Sequence, residues 1–487
     1  MEINELTPAE QQVWRAFATG AAVDFRAEDD EDVAQGAHWG PERTIRATVV
    51  RALLLNGPQE PGEISALKLS GARVTGVLDL RYGTTEFAVR LSHCHFDEVP
   101  QLYGARFRQL NLSDSVLPGL VAATVQVDGV LRLTGCRFGG TVRLGGAHIS
   151  GALFLDGARF SASDGWDGAL HLNHVSVGDD LWAPGLQADG EVRLNSAEVA
   201  GSLRLNDARL SSPGGPALDA ETLTVHGDVL MRHVRSQGWI GLRGARVEGR
   251  LELSHARLSN PGDTALRASS CTLGELWLRK SPPMQGILNL RRAQIDVLFL
   301  EPEVLPAEVL LSDLVYTSLT PHAPAERRLP MLECDGDGYV PYSYEQLAAS
   351  YRRIGDDDAA RLVQLAKQRR LRTTRSWYGR IWGYVQDATV GYGFRPLRAA
   401  VWLLSLLAVG SIAYALHHPH ALKASEAPHF NPVFYTLDLL LPVISFGQED
   451  AFAPDGWYQY LSYALIITGW ILATTVVTGV TRTVSRQ

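Results

Sequence analysis

The sequence predicts a mainly β protein: a long β-solenoid with an N-terminal helical cap, a helical-hairpin neck and two C-terminal transmembrane helices. A short phrase repeats through the middle of the chain, arginines concentrate in one stretch after it, and two long apolar runs come last. The chain of 487 residues has room for more than one packed region. Its formal net charge of −8 conceals a separation of acidic and basic segments.

Residues 1–60 predict the helical cap. Thr7 is a suitable N-cap before Pro8 and Glu10, and GPERTIRATVVRALLLNG (40–57) has the pattern of a second helix. A solenoid needs such covers because its end strands are otherwise free to pair with other chains. The N-terminus lacks the basic-then-apolar order of a secretory signal, so this portion is expected in the cytoplasm.

Residues 61–303 carry the repeat. Examples are GARVTGVLDL (71–80), GCRFGGTVRL (135–144) and GAHISGALFL (146–155). Cys136, Ala147 and Ala158 follow one another at intervals of 11 residues, and longer phrases add a second period of ~49 residues, about two coils. Strands this short bury a face only when coils stack, so pairs such as Val142 and Leu144 are expected inside.

The repeat resembles the pentapeptide-repeat and related right-handed β-helix proteins, although its units drift from strict fives. That resemblance implies architecture and says little about biochemical function. Lengthened turns, SASDGWDG (161–168), SSPGGP (211–216) and SNPGDT (259–264), interrupt the repeat. We predict that they project on one side and contact a protein or small-ligand partner.

The cysteines give no sign of a redox or metal centre. Cys94, Cys136, Cys271 and Cys334 are widely spaced and form no C-x-x-C motif. We expect them to be reduced and mostly buried. The chain also lacks the common nucleotide, hydrolase and zinc-protease motifs, so we predict no catalytic residue, cofactor or metal.

A linker (304–341) and a basic neck (342–396) follow the solenoid. The neck predicts two helices around Gly355, and it resembles a single tetratricopeptide hairpin. Its basic side chains, interleaved with aromatic ones, suit an anionic membrane surface. The acidic balance of the chain argues against nucleic acid as the partner. The predicted membrane-surface residues are Lys367, Arg369, Arg370, Arg372, Arg375 and Arg380.

Residues 397–487 predict a transmembrane module. The apolar runs 397–416 and 458–480 are each long enough to cross the hydrocarbon core. Arginines before the first run and after the second put both termini on the cytoplasmic side of the plasma membrane. The segment 417–457 would then lie outside or re-enter the membrane.

The layout of this module resembles the pore module of two-helix cation channels, in which a re-entrant helix carries the filter. Here the apolar stretch from Pro432 is followed by one glycine, whereas the family filter has two glycines flanking an aromatic. Two helices cannot enclose a path alone, so a pore implies a homo-oligomer. The predicted filter and mouth residues are Ser445, Phe446, Gly447, Gln448, Glu449 and Asp450.

Three functions remain open from the sequence. The main prediction is a channel, and the alternative is a membrane-tethered binding scaffold without transport. YEQLAASYRR, TVGYGFRP and LLLPVISFGQED also resemble a group of actinobacterial proteins labelled membrane-associated oxidoreductases. That label implies redox chemistry, but we assign no redox residue.

Overall fold

The computed structural model describes residues 5–28, 31–161, 168–393, 396–423, 427–441 and 445–484. The chain divides into two compact units, Met1–Gln346 and Leu347–Gln487. The first unit is a parallel β-solenoid of about 11 turns with helices at both ends. The predicted solenoid is therefore confirmed, while its right-handed winding stays a prediction.

Each coil is built from four very short strands. In one coil they begin at Gln126, Leu131, Arg137 and Val142, and the next coil begins at His148, so the steps alternate between five and six residues. The first two strands of a coil join one parallel sheet and the last two join another; we call these the first sheet and the second sheet. The 11-residue interval in the sequence is thus half a coil.

Neighbouring coils pair in register 22 residues apart, as in Leu131 with Leu153. Where a turn is lengthened the offset grows, to 28 residues between Leu153 and Leu181. One long and one short coil together give the predicted period of about two coils. The strands β1 to β34 of this unit are, in order, Ala22–Asp24, Thr44–Arg46, Ala66–Ser70, Arg73–Thr75, Thr84–Ser92, His95–Phe96, Arg106–Asn111, Val116–Leu117, Leu120–Val121, Gln126–Val127, Leu131–Arg132, Arg137–Phe138, Val142–Arg143, His148–Ile149, Leu153–Phe154, Arg159–Ser161, Leu170–His171, Ser176–Val177, Leu181–Trp182, Gln187–Asp189, Val192–Arg193, Glu198–Val199, Leu203–Arg204, Arg209–Asp219, Thr224–Val225, Val229–Leu230, Arg235–Gly241, Arg246–Glu252, Arg257–Arg267, Thr272–Leu278, Gln285–Asn289, Gln294–Leu300, Val309–Leu310 and Val315–Thr320.

The interior is a stack of aliphatic and aromatic ladders. Val142 and Leu144 are fully buried, as predicted, and Phe138 stacks on Phe160 with ring centroids 5.1 Å apart. Small residues such as Cys136 lie at the corners, where a larger side chain would not fit beside the next coil. Continuous stacking lets two-residue strands bury one face completely.

Two kinds of position explain the glycines and polar corners. At one, the backbone approaches the preceding coil: a Cβ on Gly178 would lie 2.2 Å from the carbonyl oxygen of Ser150. At the other, the residue just before an inward small residue has positive φ, which favours glycine, aspartate and histidine. One column of such corners is Gly71, His93, Asp114, Gly135, Gly157, Gly185, Asp207, His233, His255 and Lys280.

The predicted cap is present at the N-terminal end. Helix α1 (Pro8–Thr19) has the expected capping box between Thr7 and Glu10, and α2 (Ala47–Asn56) follows. Arg46 also donates from its guanidinium to the buried Glu10 carboxylate, with an N–O distance of 2.7 Å. Strands β1 and β2 pair with β3 and β4, so the cap is continuous with the first coil.

The solenoid extends past the predicted boundary at 303. Strand β34 pairs in parallel with β32, and Tyr316 is buried. Its alternation of buried and exposed residues continues the repeat where the sequence, rich in proline, had indicated a linker. Helix α3 (Ala325–Glu333) comes next, and the buried Arg328 donates to the carbonyl oxygens of Leu300 and Pro321.

The second unit is helical. Helix α4 (Pro341–Arg353) crosses the boundary between the units, and α5 (Asp357–Thr374) begins after Gly355, whose φ is +79°. A short antiparallel pair, β35 and β36, joins the loops before α8 and after it. The remaining elements are α6 (Trp377–Val390), α7 (Pro396–Leu416), β35 (His420–Ala421), α8 (Pro432–Leu440), β36 (Phe452–Ala453) and α9 (Trp457–Val484).

The channel prediction is wrong. Among the residues that the structure describes, no helix has both the length and the apolar character required to cross a membrane, so the spans 397–416 and 458–480 are not confirmed. The predicted pore helix, α8, has only nine residues. In the described part of the segment after it, the backbone amides of Phe446, Gln448 and Glu449 all turn toward the Asp438 carboxylate.

The cysteine prediction is largely confirmed. All four thiols are free, Cys94, Cys136 and Cys271 are buried, and Cys334 is exposed. Burial raises the pKa of each of the three buried thiols to about 12. Their role is to fill corners of the solenoid, since a thiol with so high a pKa is a poor nucleophile.

Candidate binding surfaces

The predicted filter residues form a small closed turn. The Asp438 carboxylate, which is buried, accepts hydrogen bonds from the backbone amides of Phe446, Gln448 and Glu449. The Gln448 side chain donates to the carbonyl oxygen of His429. Burial, with the neighbouring Asp450 and Asp438 charges, raises the pKa of Glu449. The structure brings the six predicted residues together, but as a turn whose amides are already occupied.

The predicted basic residues of the neck have two different environments. Arg369 and Arg372 both pair with Asp387, at 3.0 Å and 3.2 Å, and Arg372 also lies over the ring of Tyr384. Burial alone would raise the pKa of Asp387, but the two guanidinium groups outweigh this effect and lower the pKa below its ordinary value. These two arginines therefore hold helices together, while Arg370, Arg375 and Arg380 lie near the surface.

Exposed apolar side chains are concentrated in the second unit. Of the 26 large apolar side chains that are exposed among the described residues, 20 lie after Gln346. On each long helix they fall on one side, because their spacing follows the helical repeat. They are Trp377, Tyr378, Ile381 and Tyr384 on α6; Val401, Trp402, Leu404, Val409, Ile412 and Leu416 on α7; and Trp457, Tyr460, Tyr463, Ile467 and Trp470 on α9.

The other side of these helices forms a core. Tyr414, Tyr435, Leu440 and Leu465 are buried against one another, and the Tyr414 hydroxyl donates to the carbonyl oxygen of Tyr458 at 3.1 Å. Burial raises the pKa of Tyr414 to about 12. The exposed aromatic and aliphatic side chains are thus left over after the unit has packed its own core.

On the solenoid, the outer face of the first sheet has balanced charges. Arg204 pairs with Asp180 at 3.5 Å and Arg250 with Asp228 at 3.2 Å. Glu252, which is 1% exposed, is contacted by Arg232 at 2.8 Å. A groove of about 400 Å³ on this face is lined by Asp228, Glu248, Arg250, Glu275 and Asp296. Arg204, Arg232 and Arg250 thus lie close to carboxylates, whereas Arg90, Arg106 and Arg246 of the same sheet are exposed and form no ion pair with a described residue.

One column on the outer face of the second sheet is different, because arginines are stacked in it without carboxylates between them. Arg137 pairs in register with Arg159, Arg159 with Gln187, Gln187 with Arg209, Arg209 with Arg235, and Arg235 with Arg257. All five arginines are exposed. We call the column Arg137, Arg159, Arg209, Arg235 and Arg257 the arginine ladder.

The ladder has almost no counter-charge among the described residues. Arg137 pairs with Asp32 at 3.0 Å, and no ion pair joins the other four to a described carboxylate. Asp189 and Asp207 lie in the two neighbouring columns without forming an ion pair with the ladder. Like charges directly opposite each other on neighbouring strands repel, so the column weakens the fold in isolation.

Polar columns flank the ladder on both sides. On one side the Ser211 hydroxyl donates to Gln237, and that of Ser259 to Gln285. On the other, the rings of His233 and His255 stack with centroids 4.6 Å apart. The second sheet therefore has a strip of guanidinium groups bordered by hydroxyl, amide and imidazole groups.

The lengthened turns lie beside this strip. SSPGGP and SNPGDT fall inside β24 and β29, directly after Arg209 and Arg257, and the register is irregular at both. Gly214 and Gly262, at their tips, have no neighbouring atoms on the Cβ side. Most of the third turn, residues 162–167, lies outside the described residues. What these turns bind stays a prediction.

The arginine ladder is not among the sequence-based predictions, although the sequence contains a signal for it. The ladder residue follows the small or aliphatic corner residue of every second phrase, as in Cys136–Arg137, Ala158–Arg159 and Ala208–Arg209. Aligning the phrases by full coils instead of half coils places these arginines in one column. No comparable signal in the sequence predicts which face of each helix in the second unit is exposed, because that face is decided by the position of the core.

Comparison with known protein families, curated proteins and solved structures returned no match to this chain.

Proposed function

We propose that the protein is a binding scaffold attached to a lipid membrane, without transport. The solenoid presents its outer faces to a partner, and the second unit attaches the chain to the membrane. The observation that carries the proposal is the concentration of exposed large apolar side chains in the second unit. Apolar patches of this kind, bordered by polar residues, are typical of protein or membrane contact sites.

The chemistry beside these side chains favours lipid over a protein partner. Trp377 and Tyr378 begin α6, and Arg375 and Arg380 lie on either side of them. Aromatic rings are enriched at the level of the lipid headgroups, and arginine is attracted to anionic headgroups. Trp457 and Tyr460 similarly begin α9 and are strongly exposed. This combination supports contact with an anionic membrane surface.

Vesicle flotation of the full chain tests the proposal. The parent protein should float with vesicles of phosphatidylglycerol and phosphatidylcholine. A triple variant, Leu404→Gln, Ile412→Gln and Ile467→Gln, should bind at least about a hundredfold more weakly, since each large apolar side chain contributes roughly 1.5–3 kcal/mol when removed from water. These side chains are exposed in the free protein, so the variant should keep its fold.

The matched control changes exposed apolar residues of the first unit, Ile64→Gln, Val77→Gln and Tyr103→Gln. It should float as the parent does. Absence of the parent from the vesicle fraction, or equal losses in the two triple variants, would contradict membrane attachment through the second unit.

A further inference from the structure

The arginine ladder has the properties of a binding site for a linear anion. Register pairing places one ladder position on each of six successive coils, from Arg137 to Arg257. Coils stack about 4.8 Å apart, so the ladder runs roughly 24 Å along the solenoid axis. A compact anion would reach only one or two of these positions, whereas an extended polymer can contact all of them.

The ladder differs from the first sheet because its unpaired arginines are stacked in one column. On the first sheet Arg204, Arg232 and Arg250 each have a carboxylate within 3.5 Å. On the second sheet four of the five ladder arginines have no ion pair with a described residue. A column of unpaired like charges is unfavourable for folding, and an anionic ligand would remove the repulsion.

The groups beside the ladder favour phosphate over other anions. Guanidinium groups donate two parallel hydrogen bonds to phosphate oxygens. The side-chain amides of Gln237 and Gln285, whose oxygens accept from the hydroxyls of Ser211 and Ser259, border the ladder, and their N–H groups can donate to the same chain of phosphates. The described ladder and its flanking columns contain no large aromatic ring on which bases would stack, which favours a phosphate polymer without bases.

We propose that the arginine ladder binds a linear phosphate polymer, held along the second sheet by Arg159, Arg209, Arg235 and Arg257. The polymer is a polyphosphate chain, which has the repeated charge of a nucleic-acid backbone without bases that need a stacking surface. This inference names the partner of the proposed scaffold, and it rests on that function.

The test measures binding of fluorescent polyphosphate, and separately of a single-stranded oligonucleotide, to the full chain in solution without vesicles. We expect binding that weakens as salt rises. The variant Arg209→Gln, Arg235→Gln and Arg257→Gln should lose more than about a hundredfold in affinity, because each lost charge-assisted hydrogen bond costs roughly tenfold or more. The slope of log affinity against log salt should fall by roughly two.

The matched control, Arg90→Gln, Arg106→Gln and Arg246→Gln, removes three exposed arginines of the first sheet and changes the net charge equally. It should bind as the parent does. Tighter binding of polyphosphate than of the oligonucleotide supports the proposal, and the reverse preference would overturn it. Equal losses in both triples, no binding by the parent, or equally tight binding of poly-glutamate would overturn it. Loss of vesicle flotation with retained polymer binding would contradict only the membrane attachment.

Discussion

The two units of this chain differ in how completely they bury their large apolar side chains. In the solenoid, every coil covers the apolar face of the next, and only six large apolar side chains are exposed among the described residues up to Gln346. In the shorter helical unit the core is small and 20 such side chains remain outside. Repetition buries apolar residues efficiently, whereas α6, α7 and α9 of the helical unit each leave one side uncovered.

The same contrast applies to charge. The solenoid leaves an unpaired arginine column exposed, while in the helical unit Arg369 and Arg372 are paired with Asp387. The first unit therefore offers a column of charge to a partner, and the second offers apolar surface bordered by Arg375 and Arg380. In each unit, the predicted contact with a partner is made by side chains that lack a partner within that unit: ladder arginines in the first and apolar side chains in the second.

The largest expected effect comes from the solenoid core. Phe160→Ala should destabilise the solenoid by about 3–5 kcal/mol, because the change removes a fully buried ring that stacks on Phe138. Urea unfolding followed by far-ultraviolet circular dichroism measures the loss. Ile64→Ala, at a side chain that is 83% exposed, should change stability very little. Similar unfolding midpoints for the two variants would show that the Phe160 ring does not stabilise the solenoid through burial.

In the helical unit, the sharpest effect is expected at the turn after α8. Asp438→Asn should speed hydrogen exchange at the amides of Phe446, Gln448 and Glu449 by roughly tenfold to a hundredfold, since hydrogen bonds to a charged acceptor contribute about 1.5–3 kcal/mol. Asp450→Asn changes a neighbouring carboxylate and should leave these amides protected. Unchanged exchange in Asp438→Asn would mean that other contacts hold the turn.

A smaller effect with a defined pH dependence is expected at Glu252. Burial alone raises the pKa of this carboxyl, but hydrogen bonds from Arg232 and Ser254 lower it below its ordinary value. The folded pKa is therefore the lower one, so the carboxylate stabilises the fold above the pKa of the unfolded chain. That stability is lost as the pH falls through the folded pKa.

Glu252→Gln should accordingly lower the free energy of unfolding by about 1–3 kcal/mol near neutral pH, because the ion pair with Arg232 is lost. The loss stays within this range because Arg232 can turn to water after the pair is broken. The difference from the parent should shrink as the pH falls below the ordinary pKa of a glutamate and through the lower pKa of the folded carboxyl. Thermal melting at several pH values measures this. A stability difference that stays constant with pH would show that packing, and not the charge, is responsible.

The smallest effect concerns the ladder without ligand. The triple variant Arg209→Gln, Arg235→Gln and Arg257→Gln should melt slightly higher than the parent at low salt. Relief of each like-charge contact is worth about 0.2–1 kcal/mol. The gain should disappear at high salt, where the repulsion is screened. A lower melting temperature of the variant would indicate that these arginines make stabilising contacts within the protein and are not free to bind an anion.

The sequence was sufficient for the solenoid because its signals are local and repeated. Cys136, Ala147 and Ala158 mark half coils directly, and Thr7 with Glu10 marks the start of α1. The strands that follow residue 303 were not predicted, because prolines hid the alternation that continues to Thr320. The role of Asp438 could not be predicted, since its three amide partners are joined to it only by the fold of the turn.

Hydrogen exchange of the full chain with and without anionic vesicles tests the central contrast most directly. We predict that vesicles slow exchange at the exposed ends of the second unit, near Trp377 and Trp457, and leave the solenoid coils unchanged. Protection confined to the solenoid, or no change in either unit, would contradict the assignment of apolar contact to the second unit.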